Sequence, residues 1–287
     1  MIEVIPMKTF EISNEYFNIK DTLDSGQIFR YKPFNDGFLV FSGDKACYLY
    51  EKDGRCFMQS EDEGYFVSFF DLKRDYSIIN GFALSSPHKI VSRSAKAAKG
   101  VRILNQQREE MLFSFIISQN NMIPRIKAII ERTAKALGEK KSFLGEEYYT
   151  FPTAKALDTK NEAFYKDLGY GYRARYMVEV AKAIVNGEID LDLIDAYPTV
   201  GLKKSLMTLK GVGAKVADCV ALFGYHRVDS FPVDTWIEKL YREDFNGQLT
   251  DRNKITEWLL NEFGEYSGYV QQYVFYYKRS LEKNDKN

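Results

Sequence analysis

Histidine is scarce in this chain: its 287 residues include only His88 and His226. Two isolated imidazoles cannot build a histidine-rich metal site, and they supply little acid–base chemistry. Cysteine is nearly as rare. Cys47, Cys56 and Cys219 are odd in number and widely separated, so neither a disulfide framework nor a thiolate metal cluster follows. That usage predicts a reducing, intracellular setting. No apolar run reaches membrane-spanning length and no secretory leader opens the chain, so no membrane partner is expected. An excess of one charge is also missing. Forty basic and 40 acidic side chains cancel, which taken alone speaks against a nucleic-acid partner. Any catalysis must therefore lean on Lys, Asp, Glu, Tyr or Cys.

A hydrophobic content of 45% supports a real core, and the length suits one large or two medium domains. Charge distribution says more than its sum. From His88 to Arg108 the chain carries Lys89, Arg93, Lys96, Lys99, Arg102 and Arg108 with no acid. On a helix, Lys89, Arg93 and Lys96 would share one face, either a solvated face or a phosphate-facing one. Up to about residue 85 the pattern is mostly β. Asn35-Asp36-Gly37, Ser42-Gly43-Asp44 and Asp53-Gly54 are turn signals between short segments such as Phe38 to Phe41 and Ala46 to Tyr50. After Ser85-Ser86-Pro87 helical patterns take over: Glu110 to Ile117, Ile123 to Leu137, Ala163 to Leu168, Tyr176 to Val185 and Lys254 to Phe263. The expected class is α+β, with an N-terminal antiparallel sheet domain (1–86) packed on a larger helical body (87–287). The charged tail from Glu282 to Asn287 is expected to fray.

One segment in the helical part stands out. Leu202, Leu206 and Leu209 precede the turn Gly211-Val212-Gly213, and Val216, Val220 and Phe223 follow it, with Gly224 placed to end the second helix. Glycines there permit positive φ and close backbone approach. The following helix would present free N–H groups and its positive end, which suits an anion. The plainer reading is an ordinary helical hairpin. Lys215 lies two residues beyond the turn, and Asp234 follows 19 residues later. A free lysine near pKa ~10.4 is neutral in only about one molecule in 2,500 at pH 7. A nucleophilic lysine needs desolvation or a positive helix end beside it. Lys215 is thus either a nucleophile or a point charge for a phosphate. Asp234 sits at a helix start, where aspartate is a standard N-cap, and the same carboxylate can also face a substrate. Cys219, four residues past Lys215, shares its helix face. Ser118-Gln119-Asn120-Asn121 is a polar helix end. Gly169-Tyr170-Gly171-Tyr172-Arg173-Ala174-Arg175 interleaves aromatics, glycines and arginines in a way that suits stacking and phosphate contact.

Leu209 to Val220 with Pro232-Val233-Asp234 resembles the helix-hairpin-helix DNA glycosylases, and Lys215 resembles their bifunctional branch. Ser25-Gly26-Gln27-Ile28-Phe29-Arg30, Phe113-Ser114-Phe115-Ile116 with Asn120-Asn121, and Gly171-Tyr172-Arg173-Ala174-Arg175-Tyr176 are similar to the 8-oxoguanine DNA glycosylase/AP lyases. The resemblance runs from about residue 25 to 275 and places the hairpin at about 200–224. It implies excision of 8-oxoguanine from duplex DNA, preferably opposite cytosine, followed by β-elimination at the abasic site. Lys215 would be the Schiff-base nucleophile and Asp234 its catalytic carboxylate. Main-chain N–H groups of Gly211, Gly213 and Val216 would hold a phosphate. Carbonyls of Met207, Leu209 and Val212 would bind a structural monovalent or calcium ion, with no cofactor required for the chemistry.

The same resemblance gives Gly26 a carbonyl for the N7–H of the lesion and Gln271 its Watson–Crick edge, with Cys219 and Phe275 on its two faces. Asn120 would fill the emptied stack, Tyr172 would wedge beside it, and Arg125 and Arg173 would read the orphaned cytosine. The protein would act as a DNA-associated intracellular monomer. The sequence departs from the family at Trp236, where eukaryotic members carry a phosphate-binding histidine, and at Met122, which replaces a third asparagine. No cysteine cluster follows Asp234, unlike the iron–sulfur branch resembling endonuclease III. Two rival readings are a non-catalytic hairpin DNA-binding module and a monofunctional alkylbase glycosylase. Lys215 together with Asp234 argues against the first, and the lysine alone against the second.

Overall fold

A computed structural model describes residues 8–284. Strands β1 (Lys8–Ile12), β2 (Tyr31–Phe34), β3 (Gly37–Ser42), β4 (Lys45–Lys52) and β5 (Arg55–Ser60) form an antiparallel sheet in the order β1-β5-β4-β3-β2. β2 to β5 are a meander. Asn35, Gly43, Asp53 and Gly54 take positive φ at its turns, where Asn, Asp and Gly are tolerated. β1 pairs with β5 at the far edge, and α1 (Ile19–Asp24) lies between β1 and β2 in the chain. Both faces are covered, which explains the near-continuous apolar runs in β3 and β4. Cys47, Leu49 and Met58 pack with Phe17, Phe66, Phe69 and Phe70 on one side. Leu39, Phe41 and Tyr48 pack with Phe143 and Tyr148 on the other.

The sheet ends at Ser60, earlier than the mostly-β reading to about 85. Helices α2 (Glu63–Phe69), α3 (Tyr76–Leu84) and α4 (Lys89–Ala97) follow. Asp62 and Asp75 cap the first two, accepting from the backbone N–H of Tyr65 and Ser77. Phenylalanine, valine and isoleucine in these short helices mimic strand composition. On α4, Lys89, Arg93 and Lys96 are exposed together. Arg102 and Arg108 leave that basic set. The Arg102 guanidinium is buried over the Tyr76 ring and donates to the carbonyls of Tyr16 and Asp71. Arg108 is paired with Asp192 and Asp195.

The body continues with α5 (Arg108–Ser118), α6 (Ile123–Leu137), α7 (Ala154–Asp158), α8 (Glu162–Asp167), α9 (Ala174–Val185), α10 (Thr199–Leu206), α11 (Ala214–Gly224), α12 (Thr235–Asp244), α13 (Arg252–Phe263) and α14 (Ser267–Asn284). The rest of the charged tail lies outside the described residues. Between α6 and α7 the sequence reading missed a hairpin, β6 (Lys140–Phe143) with β7 (Glu146–Tyr149), which covers the second sheet face. Its turn places Leu144 at φ 52°, a residue that gives no turn signal.

α5 and α11 form the centre. Every residue from Glu110 to Ile117 and from Val216 to Gly224 is buried, as expected of helices apolar on all sides. They run antiparallel. Gln106 N–H, just before α5, reaches the Phe223 carbonyl at the end of α11. The start of α11 therefore lies beside the end of α5, and Lys215 beside the polar cluster Ser118 to Asn121.

Candidate active site

The glycine turn between α10 and α11 is tight. Gly211 has φ +80°, and a Cβ there would stand 2.5 Å from the Tyr176 ring of α9, so only glycine fits. Among the described residues, the N–H groups of Gly211, Gly213 and Val216 donate to no backbone acceptor. The N-cap, Gly213, is exposed and makes no side-chain cap bond. The turn thus offers unpaired donors at the positive end of α11. The carbonyls of Met207 and Val212 accept no backbone hydrogen bond, whereas that of Leu209 accepts one from Val212.

Two of these residues, Gly213 and Val216, border a cleft of about 680 Å³. Ser118 to Asn121 line one wall, Gly213 to Val216 a second, Asp234 a third, and Arg252 and Asn253 of α13 a fourth. Lys215 is half-buried, its Nζ 5.4 Å from the centroid of the Phe115 ring. Asp234 caps α12, and both of its cap bonds, from Trp236 N–H and Ile237 N–H at 2.9 Å, fall on one oxygen. The cap therefore does not use up the carboxylate. Half-buried Trp236 meets Asp234 through this bond.

A smaller cavity of about 60 Å³ adjoins the cleft, sharing Lys215 and Asp234 with it. Gly26, Cys219, Gln271 and Phe275 also line it. All four proposed base contacts thus meet both proposed catalytic residues, from segments spread over nearly the whole chain. The Cys219 thiol is held neutral, its pKa pushed up to about 11 by burial, so it offers an apolar face rather than a nucleophile. Gln271 is 5% exposed, and among the described residues its Oε1 has no partner, a costly state for a buried acceptor. The Gly26 loop is fixed from below. Buried Gln27 bonds to Ser25 Oγ, the Arg102 carbonyl and Leu104 N–H. From α14, Gln272 donates to the Ser25 carbonyl and Arg279 to the Asp24 carbonyl.

On the far side of the cleft, Asn120 is exposed with φ 45°. Tyr172 is 53% exposed, and its hydroxyl is 3.4 Å from the Gln119 carbonyl. Arg173 is buried and donates to the carbonyls of Gln119, Asn120 and Tyr170, so its guanidinium ties the loop down. Arg125 is exposed, with one bond to the Gly169 carbonyl at 3.1 Å. The sequence reading missed Asp218 and the α13 residues at the cleft. The signals were an acid within the apolar α11 and the N-cap Asp251 at the start of α13.

Residues 9–112 match the 8-oxoguanine DNA glycosylase N-terminal domain, and residues 113–265 match the HhH-GPD superfamily of base excision DNA repair proteins. A probable N-glycosylase/DNA lyase of Methanothermobacter thermautotrophicus is 31% identical over 73% of this chain and 72% of its own length. The N-glycosylase/DNA lyase of Saccharomyces cerevisiae is 30% identical over 62% of this chain and 56% of its own. The Clostridium acetobutylicum 8-oxoguanine glycosylase/lyase, solved with double-stranded DNA containing cytosine opposite 8-oxoguanine, superposes with a TM-score of 0.89. That match has 31% identity and covers 96% of this chain and 98% of the other.

Proposed function

Because the chain belongs to the HhH-GPD superfamily of base excision DNA repair proteins and carries an 8-oxoguanine DNA glycosylase N-terminal domain, we propose that it excises 8-oxoguanine from duplex DNA and cleaves the strand at the abasic site through Lys215. The observation that carries this is the meeting of Lys215 and Asp234 with Gly26, Cys219, Gln271 and Phe275 around one small cavity. A base within a duplex hides its glycosidic bond and must be flipped out to react. Gln271 waits with an unpaired acceptor for such a base, and its edge supplies N–H donors.

The Lys215 amine attacks C1′. The N–C1′ bond forms as the glycosidic bond breaks, and the base leaves with its electron pair and takes up a proton. The Asp234 carboxylate, at the start of α12, stabilises positive charge on the sugar. Ring opening gives an imine, loss of the C2′ proton follows, and the 3′ phosphate is expelled. The unpaired N–H groups of Gly211, Gly213 and Val216 hold a DNA phosphate at the cleft. The free carbonyls of Met207 and Val212, with that of Leu209, are hard neutral donors suited to a monovalent or calcium ion that stiffens the turn. The enzyme needs no other cofactor and works on DNA inside the cell as a monomer. Among the described residues no helix is long and apolar enough to cross a membrane.

The test is borohydride trapping on a duplex carrying 8-oxoguanine opposite cytosine. Wild-type protein is expected to form a covalent adduct, and Lys215→Gln to form none while still binding. Normal trapping by Lys215→Gln would remove this lysine from the reaction.

A further inference from the structure

The reaction as read leaves one buried acid beside the nucleophile unused. Asp218 lies one turn past Lys215 on α11, is 3% exposed and lines the same cleft. Lys203 of α10 holds it, Nζ to Oδ1 2.6 Å, and is itself largely covered. The pair therefore bridges the two helices of the hairpin from beneath the glycine turn. Burial pushes the Asp218 carboxyl up to about 6, while the charges of Lys203 and Lys215 favour its ionised form. Lys215 is thus close enough to be felt by this carboxylate.

Several elements face Lys215. Its own helix supplies Asp218 and the neutral thiol Cys219. The cap of α12 supplies Asp234. α10 supplies Lys203. α5 turns the Phe115 ring toward it, and α14 brings uncharged Gln271 and Phe275 to the shared cavity. α13 brings Arg252 to the same cleft, paired with Glu238, so two carboxylates and one second lysine are the charges not already matched from outside the hairpin and the α12 cap. An anion within a turn favours an ammonium and opposes nucleophilic attack. Asp234 has to act on the sugar. Asp218 has no such task, and left alone it would draw the Lys215 ammonium into a pair.

We propose that Lys203 and Asp218 are positioning residues that govern the protonation of Lys215: Lys203 occupies the buried carboxylate and so leaves the Lys215 amine free to react. This rests on the reading of Lys215 as the nucleophile. Above about pH 6, where Asp218 is ionised, the pair acts as a neutral insert. Removing either member alone exposes Lys215 to the charge of the other, with opposite signs. A bolt that merely joined α10 to α11 would have no such signed effect.

The experiment is single-turnover cleavage of a pre-formed abasic-site duplex, with borohydride trapping, from pH 5 to 9. Asp218→Asn leaves Lys203 uncompensated and is expected to move the acid limb of the profile down by about one pH unit. Lys203→Met leaves the buried carboxylate uncompensated and is expected to move the limb up by about as much. The double variant restores a neutral insert and is expected to fall near wild type. It also guards against misfolding of Lys203→Met, which buries a lone charge. Limbs that stay at the wild-type position, or that move in the same direction in both single variants, would overturn the proposal. Failure of the underlying reading looks different: it would appear as trapping that persists in Lys215→Gln.

Discussion

Gly26 and Phe275 meet across the small cavity: a Cβ at residue 26 would stand 3.0 Å from Phe275 Cε1 and 2.9 Å from Arg279 Nη1. Residue 26 also holds φ +88°. The absence of a side chain is therefore needed twice, once for the backbone conformation and once for the close approach of Phe275 and Arg279. At about 60 Å³ the cavity is too small for a purine, so its walls must part for a base to enter.

Gly26→Ala is expected to lower 8-oxoguanine excision about tenfold or more, since a strained φ and a crowded wall together cost well over 1 kcal/mol. Cleavage of a pre-formed abasic site needs no base in the pocket and is expected to change little. Equal losses in both assays would mean that the loop supports the fold rather than the base.

Asp234 carries a cap and a charge, and two substitutions separate them. Asp234→Asn keeps an oxygen for the N–H groups of Trp236 and Ile237. It is expected to retain stability yet slow base excision by about 10²-fold or more. Asp234→Ala should add a loss of about 1 kcal/mol in stability from the missing cap. Wild-type single-turnover rates for Asp234→Asn would reduce the residue to its cap.

The two arginines near the loop should behave differently. Arg125 is exposed and makes a single bond to the Gly169 carbonyl, so it can turn to the N3 and O2 acceptors of an orphaned cytosine. Adenine would set its N6 donor against the arginine donors, a mismatch of about 1–3 kcal/mol per buried group. Arg125→Met is expected to raise excision opposite adenine relative to cytosine. Arg173 is spent on the carbonyls of Gln119 and Asn120, and Arg173→Met should weaken duplex binding whatever the opposite base. Single-turnover rates on duplexes differing only in that base check both; an unchanged ratio for Arg125→Met would sink the assignment.

Asp218 also predicts a pH effect on stability. Its carboxyl is raised from 3.8 to about 6 in the fold, so the folded state holds a proton that the unfolded chain has lost. Its contribution to stability is full below about 4 and lost as the pH rises through about 6. Asp218→Asn lacks this dependence. Its melting temperature relative to wild type is expected to climb between pH 4 and 6 and then level off. A flat difference across that window would show that the carboxyl does not titrate there.

Much of this molecule could be read from local pattern. Ile123 to Leu137 is a helix over the expected residues, and Asn35 and Gly43 turn the chain as their types suggest. α2 and α3 escaped because Phe66, Phe69 and Ile79 suit a strand as well as a short helix, and only the caps Asp62 and Asp75 reveal the difference. Two of the six cations in what looked like one basic tract are drawn away from it, since Arg102 and Arg108 answer to partners far along the chain. Motif likeness, not local pattern, named Lys215, Asp234, Gly26 and Gln271, and the fold lines one cavity with all four. The link between Lys203 and Asp218 was hidden because nothing in a sequence says that a lysine and an aspartate 15 positions apart will be buried together.

The last helix gives the fold an order in time. α14 supplies Gln271 and Phe275 and holds the Gly26 loop through Gln272 and Arg279. Lys215 and Asp234 lie well before it in the chain. Chains emerge from the ribosome N-terminus first and fold as they do so. A nascent chain therefore has Lys215 and Asp234 in hand before the helix that lines the small cavity opposite them. Because Val270, Tyr273 and Val274 of the same helix are buried in the main core, the cavity wall and the helical body arrive together, and the amine and acid are not set in place ahead of the groups they face.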